Sequence, residues 1–196
     1  EEKRRLTQNL GFRILRDVNA ATVVGATSVS ASVLLSSSHP ALRYPQFLAG
    51  AQTLLRFLRH QGVRLTASLE RNAEDFKESL AFLESGGLIQ RPPGEDGIIH
   101  VPTEKRIILD FYKNNSIHFF LLPALLSRAL LTGLRGAALK DEVSWWLTLY
   151  RWEFPLPERE AVAAQLGQLL EYFRSEGAIA AGDTVSAEHP LIHSMS

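Results

Sequence analysis

Apolar residues recur at spacings of three and four along most of this chain, and most such stretches stop at a glycine or a proline. That spacing is the period of an α-helix, so each stretch can lay one apolar stripe on a shared core. Leu6, Leu10, Ile14, Leu15 and Val18 carry it first. Gln46 to His60 carry it most strongly, through Phe47, Leu48, Leu54, Leu55 and Leu58, with Gly62 as a C-terminal stop. Ala73 to Ser85, Ser116 to Leu131, Lys140 to Arg151 and Glu158 to Ser175 are predicted as further helices. Ser28 to Ser36 is apolar on one side and small on the other. A helix there would pack closely against its neighbours, and an alternating strand is the competing reading.

Strand signals are few. Pro40 and Pro45 bracket a predicted turn, and a polar stretch runs from Thr66 to Asn72. Leu88-Ile89-Gln90 and Ile98-Ile99-His100-Val101 flank Pro92-Pro93-Gly94-Glu95-Asp96-Gly97, which predicts a hairpin. Ile107-Ile108-Leu109 either adds a third strand or opens the next helix. Further short strands are expected around Ala180 to Asp183. The string Leu83-Glu84-Ser85-Gly86-Gly87-Leu88-Ile89 is similar to Phe173-Arg174-Ser175-Glu176-Gly177-Ala178-Ile179: a helix end, a glycine stop and an apolar strand start. The expected fold is mainly α, a helical bundle of two winged-helix-like subdomains with short β-hairpins. The first would span 1–101 and end in a hairpin, and the second would span 102–196.

Composition removes several functions. With 196 residues, 45% of them hydrophobic, the chain can fill a core. Lysine plus arginine equals aspartate plus glutamate at 21 each, so no bulk charge draws in nucleic acid. There is no cysteine, which excludes disulfides, thiolate metal sites and cysteine nucleophiles. The one methionine is Met195, so the chain is expected to be a piece of a longer protein. The strongest apolar run, Ile117 to Leu126, is too short to span a bilayer. No GxSxG, P-loop or GxGxxG string occurs. His189 and His193 stand four apart but lack further ligands, so no metal site and no cofactor is expected. Lys3-Arg4-Arg5 reads as a solvated helix end, because a lipid patch needs a longer basic cluster. Trp145, Trp146, Tyr150 and Trp152, the last flanked by Arg151 and Glu153, read as core, with an interfacial belt as the alternative.

The least ordinary segment runs from Leu109 to Phe120. Asn114, Asn115 or Ser116 can cap a helix there, leaving His118 in its first turn. The functional alternative groups Tyr112, Lys113, Asn114, Asn115 and His118 as a polar interface or an anion-binding cluster at a positive helix end.

The string Tyr112-Lys113-Asn114-Asn115-Ser116-Ile117-His118 resembles the aromatic-Lys/Arg-Asn-Asn-x-x-His segment of membrane-bound glycerol-3-phosphate acyltransferases and the related dihydroxyacetone-phosphate acyltransferases. Leu15 to Val24 (LRDVNAATVV) resembles the stretch that follows the catalytic domain in those proteins, and the two matches lie in the family's order. The resemblance implies an enzyme of phospholipid synthesis, membrane-associated on the cytoplasmic face. That enzyme would move a fatty acyl group from acyl-CoA or acyl-carrier protein to the sn-1 hydroxyl of glycerol 3-phosphate. In that family a His-x-x-x-x-Asp motif supplies the general base. Five positions after His39, His60, His100, His118 and His189 stand Tyr44, Leu65, Lys105, Pro123 and Ser194, and His193 is too near the end. No catalytic residue is therefore assigned in this chain. It is expected to be a non-catalytic C-terminal domain whose partners are an upstream acyltransferase catalytic domain and a membrane surface, not nucleic acid. Two alternatives stay open: a stand-alone winged-helix interaction module, and a self-sufficient enzyme using the cluster from Lys113 to His118.

Overall fold

The computed structural model describes residues 1–37, 39–71, 76–92, 97–151, 153–154, 159–180, 185–186, 189 and 191–192. The expectations for the turn at 93–96, for Trp152 and for the strands at 181–183 lie outside these residues, as do the start of the helix expected from Ala73, Pro155, Pro157, His193 and Met195. The fold is mainly α. Among the described residues the α-helices are α1 (Glu2–Ala21), α2 (Ala26–Ser36), α3 (Tyr44–His60), α4 (Ala67–Arg71), α5 (Lys77–Ser85), α6 (Arg106–Asn114), α7 (Ile117–Leu131), α8 (Gly136–Tyr150) and α9 (Arg159–Ser175). Two short strands join them, β1 (Ala41–Arg43) and β2 (Ile98–His100).

The chain forms two compact units. One holds Val23–Phe120 with Glu188–Ser196, the other Glu1–Thr22 with Leu121–Ala187. Packing draws these limits, whereas the division at 101/102 follows the repeat of the sequence pattern. Because α6 lies on α2, residues 102–120 fall with the elements before them.

In the first unit the ambiguous serine-rich segment is α2, a helix and not a strand. Its serine hydroxyls bond within the helix or to close neighbours. Ser32 Oγ donates to Ser28 O (2.9 Å) and Ser36 Oγ to Val33 O (2.9 Å). Ser79 Oγ on α5 donates to buried Ser30 Oγ (2.9 Å). The small side chains let α3, α5 and α6 surround α2. Phe47, Phe57, Phe76, Leu54, Leu58, Leu80 and Leu83 fill the core, with Phe47 edge-on to Phe76 (5.9 Å).

The strand pairing differs from the predicted hairpin. β2 pairs in antiparallel register with β1, Ala41 opposite His100 and Arg43 opposite Ile98, inside the segment expected to be a turn. Gln90 and His100 exchange two backbone bonds (both 2.9 Å), so the expected hairpin partner contributes a single bridge. Pro45 opens α3, where its missing N–H costs nothing, and Arg43 N–H donates back to Gln46 Oε1 (3.2 Å). The polar stretch after Thr66 contains α4, with Leu69 buried.

In the second unit α8 and α9 pack together, with Val143, Leu166 and Phe173 in the core. The two similar strings do end alike. Gly87 and Gly177 both take positive φ (65° and 78°). Leu88 N–H reaches Leu83 O (2.9 Å), and Ala178 N–H reaches Phe173 O (2.9 Å). Each is the six-residue closure of a glycine-stopped helix. The aromatic group expected as core is not buried: Trp145 is 55% exposed and Trp146 and Tyr150 are half-buried, while Leu147 is the residue of this turn that faces inward. Trp145 and Leu149, four apart, share the outer side of α8. Trp146 is held by Glu142 Oε1, which accepts from its Nε1 (2.8 Å), and by the Arg128 guanidinium over its ring (5.2 Å).

Candidate functional site

The candidate segment straddles the corner between α6 and α7. Ile107-Ile108-Leu109 belongs to α6, so the strand alternative for it does not hold. At helical spacing Leu109 turns inward and is fully buried, while Ile107 and Phe111 turn outward and are 77% and 68% exposed. Asn114 continues the outward side, and Asn115 follows it, also exposed. A large apolar pair therefore sits in solvent with two amides at its C-terminal end.

This ridge is rigidly backed. Ser28 on α2 donates to Tyr112 O (2.9 Å) and lies 2.6 Å from Ser116 Oγ. A hydroxyl has one proton. With Ser28 donating to the carbonyl, Ser116 donates to Ser28. Ser116 thus spends its proton on α2, and the Phe119 N–H one turn on meets its carbonyl (3.1 Å) and not its hydroxyl. Arg106 Nη2 donates to Leu35 O (3.1 Å) at the carbonyl-rich end of α2, where a cation is favoured. The Tyr112 ring meets Phe111 (5.7 Å) and Phe82 of α5 (6.1 Å), both edge-on. Phe82 is itself 54% exposed and extends the apolar surface onto α5.

Of the five residues singled out from the sequence, Asn114 and Asn115 are exposed beside the ridge, and Tyr112 is half-buried in the ring cluster. Lys113 is paired with Asp110 one turn earlier (2.6 Å), so much of its charge is compensated within α6. His118 is half-buried against Phe119, ring centroids 4.0 Å apart. Sequence reasoning passed over Ile107, Phe111, Phe82 and Ser28. The first two were legible as an i, i+4 apolar pair on the side that carries Asn114. Ser28, 84 residues from Tyr112, left no local signal. Among the described residues no group of three His, Cys, Asp or Glu side chains could hold a metal ion.

Residues 1–195 match the family model described as "Glycerol-3-phosphate acyltransferase C-terminal region". Curated relatives named glycerol-3-phosphate acyltransferase also match. The one from Shewanella pealeana is 25% identical over 191 residues, 94% of this chain and 22% of that protein. The one from Histophilus somni is 26% identical over 133 residues, 67% of this chain and 16% of that protein. The one from Actinobacillus pleuropneumoniae serotype 5b is 24% identical over 124 residues, 63% of this chain and 15% of that protein. The chain thus spans less than a quarter of the length of each of these relatives.

Proposed function

Because the chain belongs to the family of glycerol-3-phosphate acyltransferase C-terminal regions, we propose that it is the non-catalytic docking domain of such an enzyme. It seats its α6 ridge on the part of the protein that performs acyl transfer. That part moves an acyl group from acyl-CoA or acyl-carrier protein to the sn-1 hydroxyl of glycerol 3-phosphate, at the cytoplasmic face of a membrane. The observation that carries the reading is the exposed Ile107–Phe111 pair on a helix pinned to α2 from behind. A preformed apolar face with a polar rim of Asn114, Asn115 and Lys113 has the anatomy of a protein interface. Docking there costs little ordering, since Ser28 and Arg106 have already fixed the helix. No histidine followed five residues later by aspartate is present to act as a general base.

The test uses the preceding, acyl-transferring part of a full-length family member, expressed without its own C-terminal region. This chain should bind it and raise transfer to glycerol 3-phosphate. Ile107→Asp with Phe111→Asp should abolish both effects while leaving the thermal unfolding midpoint unchanged. Absence of binding by the parent chain, or undiminished binding by the double variant, would overturn the proposal.

A second reading is favoured by element order in the first unit, where α2, β1, α3 and α5 precede Gln90 and β2, and β1 pairs with β2. That order is winged-helix-like and suits an interaction module acting alone. Capture of an unrelated partner through the α3 or α5 surface, insensitive to the α6 substitutions, would favour it.

A further inference from the structure

The sequence reading left Lys3-Arg4-Arg5 as a solvated helix end, yet the helix they open differs from the other long helices among the described residues. α1 runs for 20 residues, about 30 Å, with none of them buried. Leu6, Leu10, Ile14 and Val18 are spaced by four, with Leu15 alongside, and each is more than half exposed. Such spacing sweeps the stripe along one side of the helix. Gly11, Phe12 and Asn19 are its least exposed members, and at helical spacing Phe12 and Asn19 lie away from the stripe. The apolar side therefore faces outward.

Charge separates this face from the α6 ridge. Within α1, five cations (Lys3, Arg4, Arg5, Arg13, Arg16) stand against two carboxylates (Glu2, Asp17), a net charge of +3 in a chain whose total is zero. Arg5 and Arg16 lie opposite the stripe, Arg4 and Arg13 flank it, and Lys3 stands at its start. A helix about 10 Å across keeps all five within roughly one Debye length of any surface in which the stripe is sunk. A protein interface accepts arginine but is depleted of lysine and of charge at its core, so Lys3 beside the stripe and the net +3 weigh against one. An anionic bilayer favours both that charge and the stripe, because apolar burial and phosphate attraction then add. No helix among the described residues is long and apolar enough to cross a membrane, so the contact lies along the surface.

We propose that α1 is an interfacial membrane helix that lies in an anionic lipid surface through Leu6, Leu10, Ile14, Leu15 and Val18 and holds it with Lys3, Arg4, Arg5, Arg13 and Arg16. This deepens the membrane part of the function proposed above but rests on a separate observation, so either can fail alone.

The experiment is flotation of the full 196-residue chain with vesicles of phosphatidylcholine, with and without phosphatidylglycerol. Binding is expected with phosphatidylglycerol, falling as salt rises, and much weaker binding without it. Leu10→Glu with Ile14→Glu should abolish flotation. Arg13→Ala with Arg16→Ala should weaken it by about tenfold or more, at several-fold per cation. Ile107→Asp with Phe111→Asp should leave it intact. Circular dichroism of each variant should match the parent, since none of the substituted residues is buried. Failure to float, flotation indifferent to phosphatidylglycerol, or flotation unchanged by the Leu10/Ile14 pair would overturn the proposal. So would loss of protein docking, without any vesicle binding, in that pair.

Discussion

α1 and α6 both hold large apolar side chains in solvent, but they hold them differently. α6 is anchored from behind by buried Leu109, by Ser28 bonded to its last turn, and by Arg106 reaching the end of α2. α1 has no buried residue and carries a stripe among cations. Exposure alone therefore says little about what covers a face. A ridge whose shape is set before contact suits a partner of complementary shape. An exposed cationic helix suits a surface that supplies the apolar phase and the counter-charge itself.

The sharpest way to break this comparison is to truncate a leucine on each helix. Leu109→Ala should cost about 2–5 kcal/mol, because it empties a fully buried site under α6. Leu10→Ala should change stability by less than about 0.5 kcal/mol, since that leucine is already more than half in water. Denaturant unfolding of the two variants decides it, and equal losses would mean that α1 is packed after all.

Next in size is the serine behind the ridge. Ser28→Ala removes the donor to Tyr112 O and the acceptor for Ser116. Leaving those groups unsatisfied should cost about 1–3 kcal/mol in the same assay. Docking should weaken as well, whereas flotation should not change, because α1 makes no use of this bond.

The glycine stops test whether the two similar strings are equivalent. A Cβ at Gly87 or Gly177 meets nothing within 4 Å, so the cost of Gly→Ala is the left-handed backbone alone. Each should lose about 1–2 kcal/mol. Unequal losses would show that one of the two turns is held by something besides its own geometry.

The smallest effect belongs to Glu84 and Arg91, which join the end of α5 to the segment just past the Gln90 bridge. The hydrogen bond from Arg91 is the main cause holding the Glu84 carboxyl below its ordinary value. Since its folded value is depressed, the pair's stabilisation is present above the ordinary glutamate range, near pH 4.3. It is lost as pH falls through the folded value. Arg91 is exposed and Glu84 is only half-buried, so solvent screens the pair and the loss should be small. Glu84→Gln should flatten this part of the pH–stability profile, and an unchanged profile would remove the pair from the account.

Much of this was legible in the chain. The helical stripes of α3, α7, α8 and α9 were readable because a period of three to four needs no tertiary information. The glycine stops at Gly62, Gly87 and Gly177 were readable because only glycine takes that backbone freely. The string from Tyr112 to His118 pointed to the family, to which the chain belongs. Other features were decided by packing. Whether Ser28 to Ser36 formed a helix depended on neighbours that could bond its hydroxyls, and those neighbours are Ser79 on α5 and Tyr112 on α6. The partner of β2 was β1, some 57 residues away, because strand pairing is a long-range choice that a nearby turn biases without determining. The sequence marked Asn114, Asn115 and the cations of α1 as polar. Only the tertiary structure showed which apolar side chains stand beside them in water, because exposure belongs to the packed molecule and not to the residue.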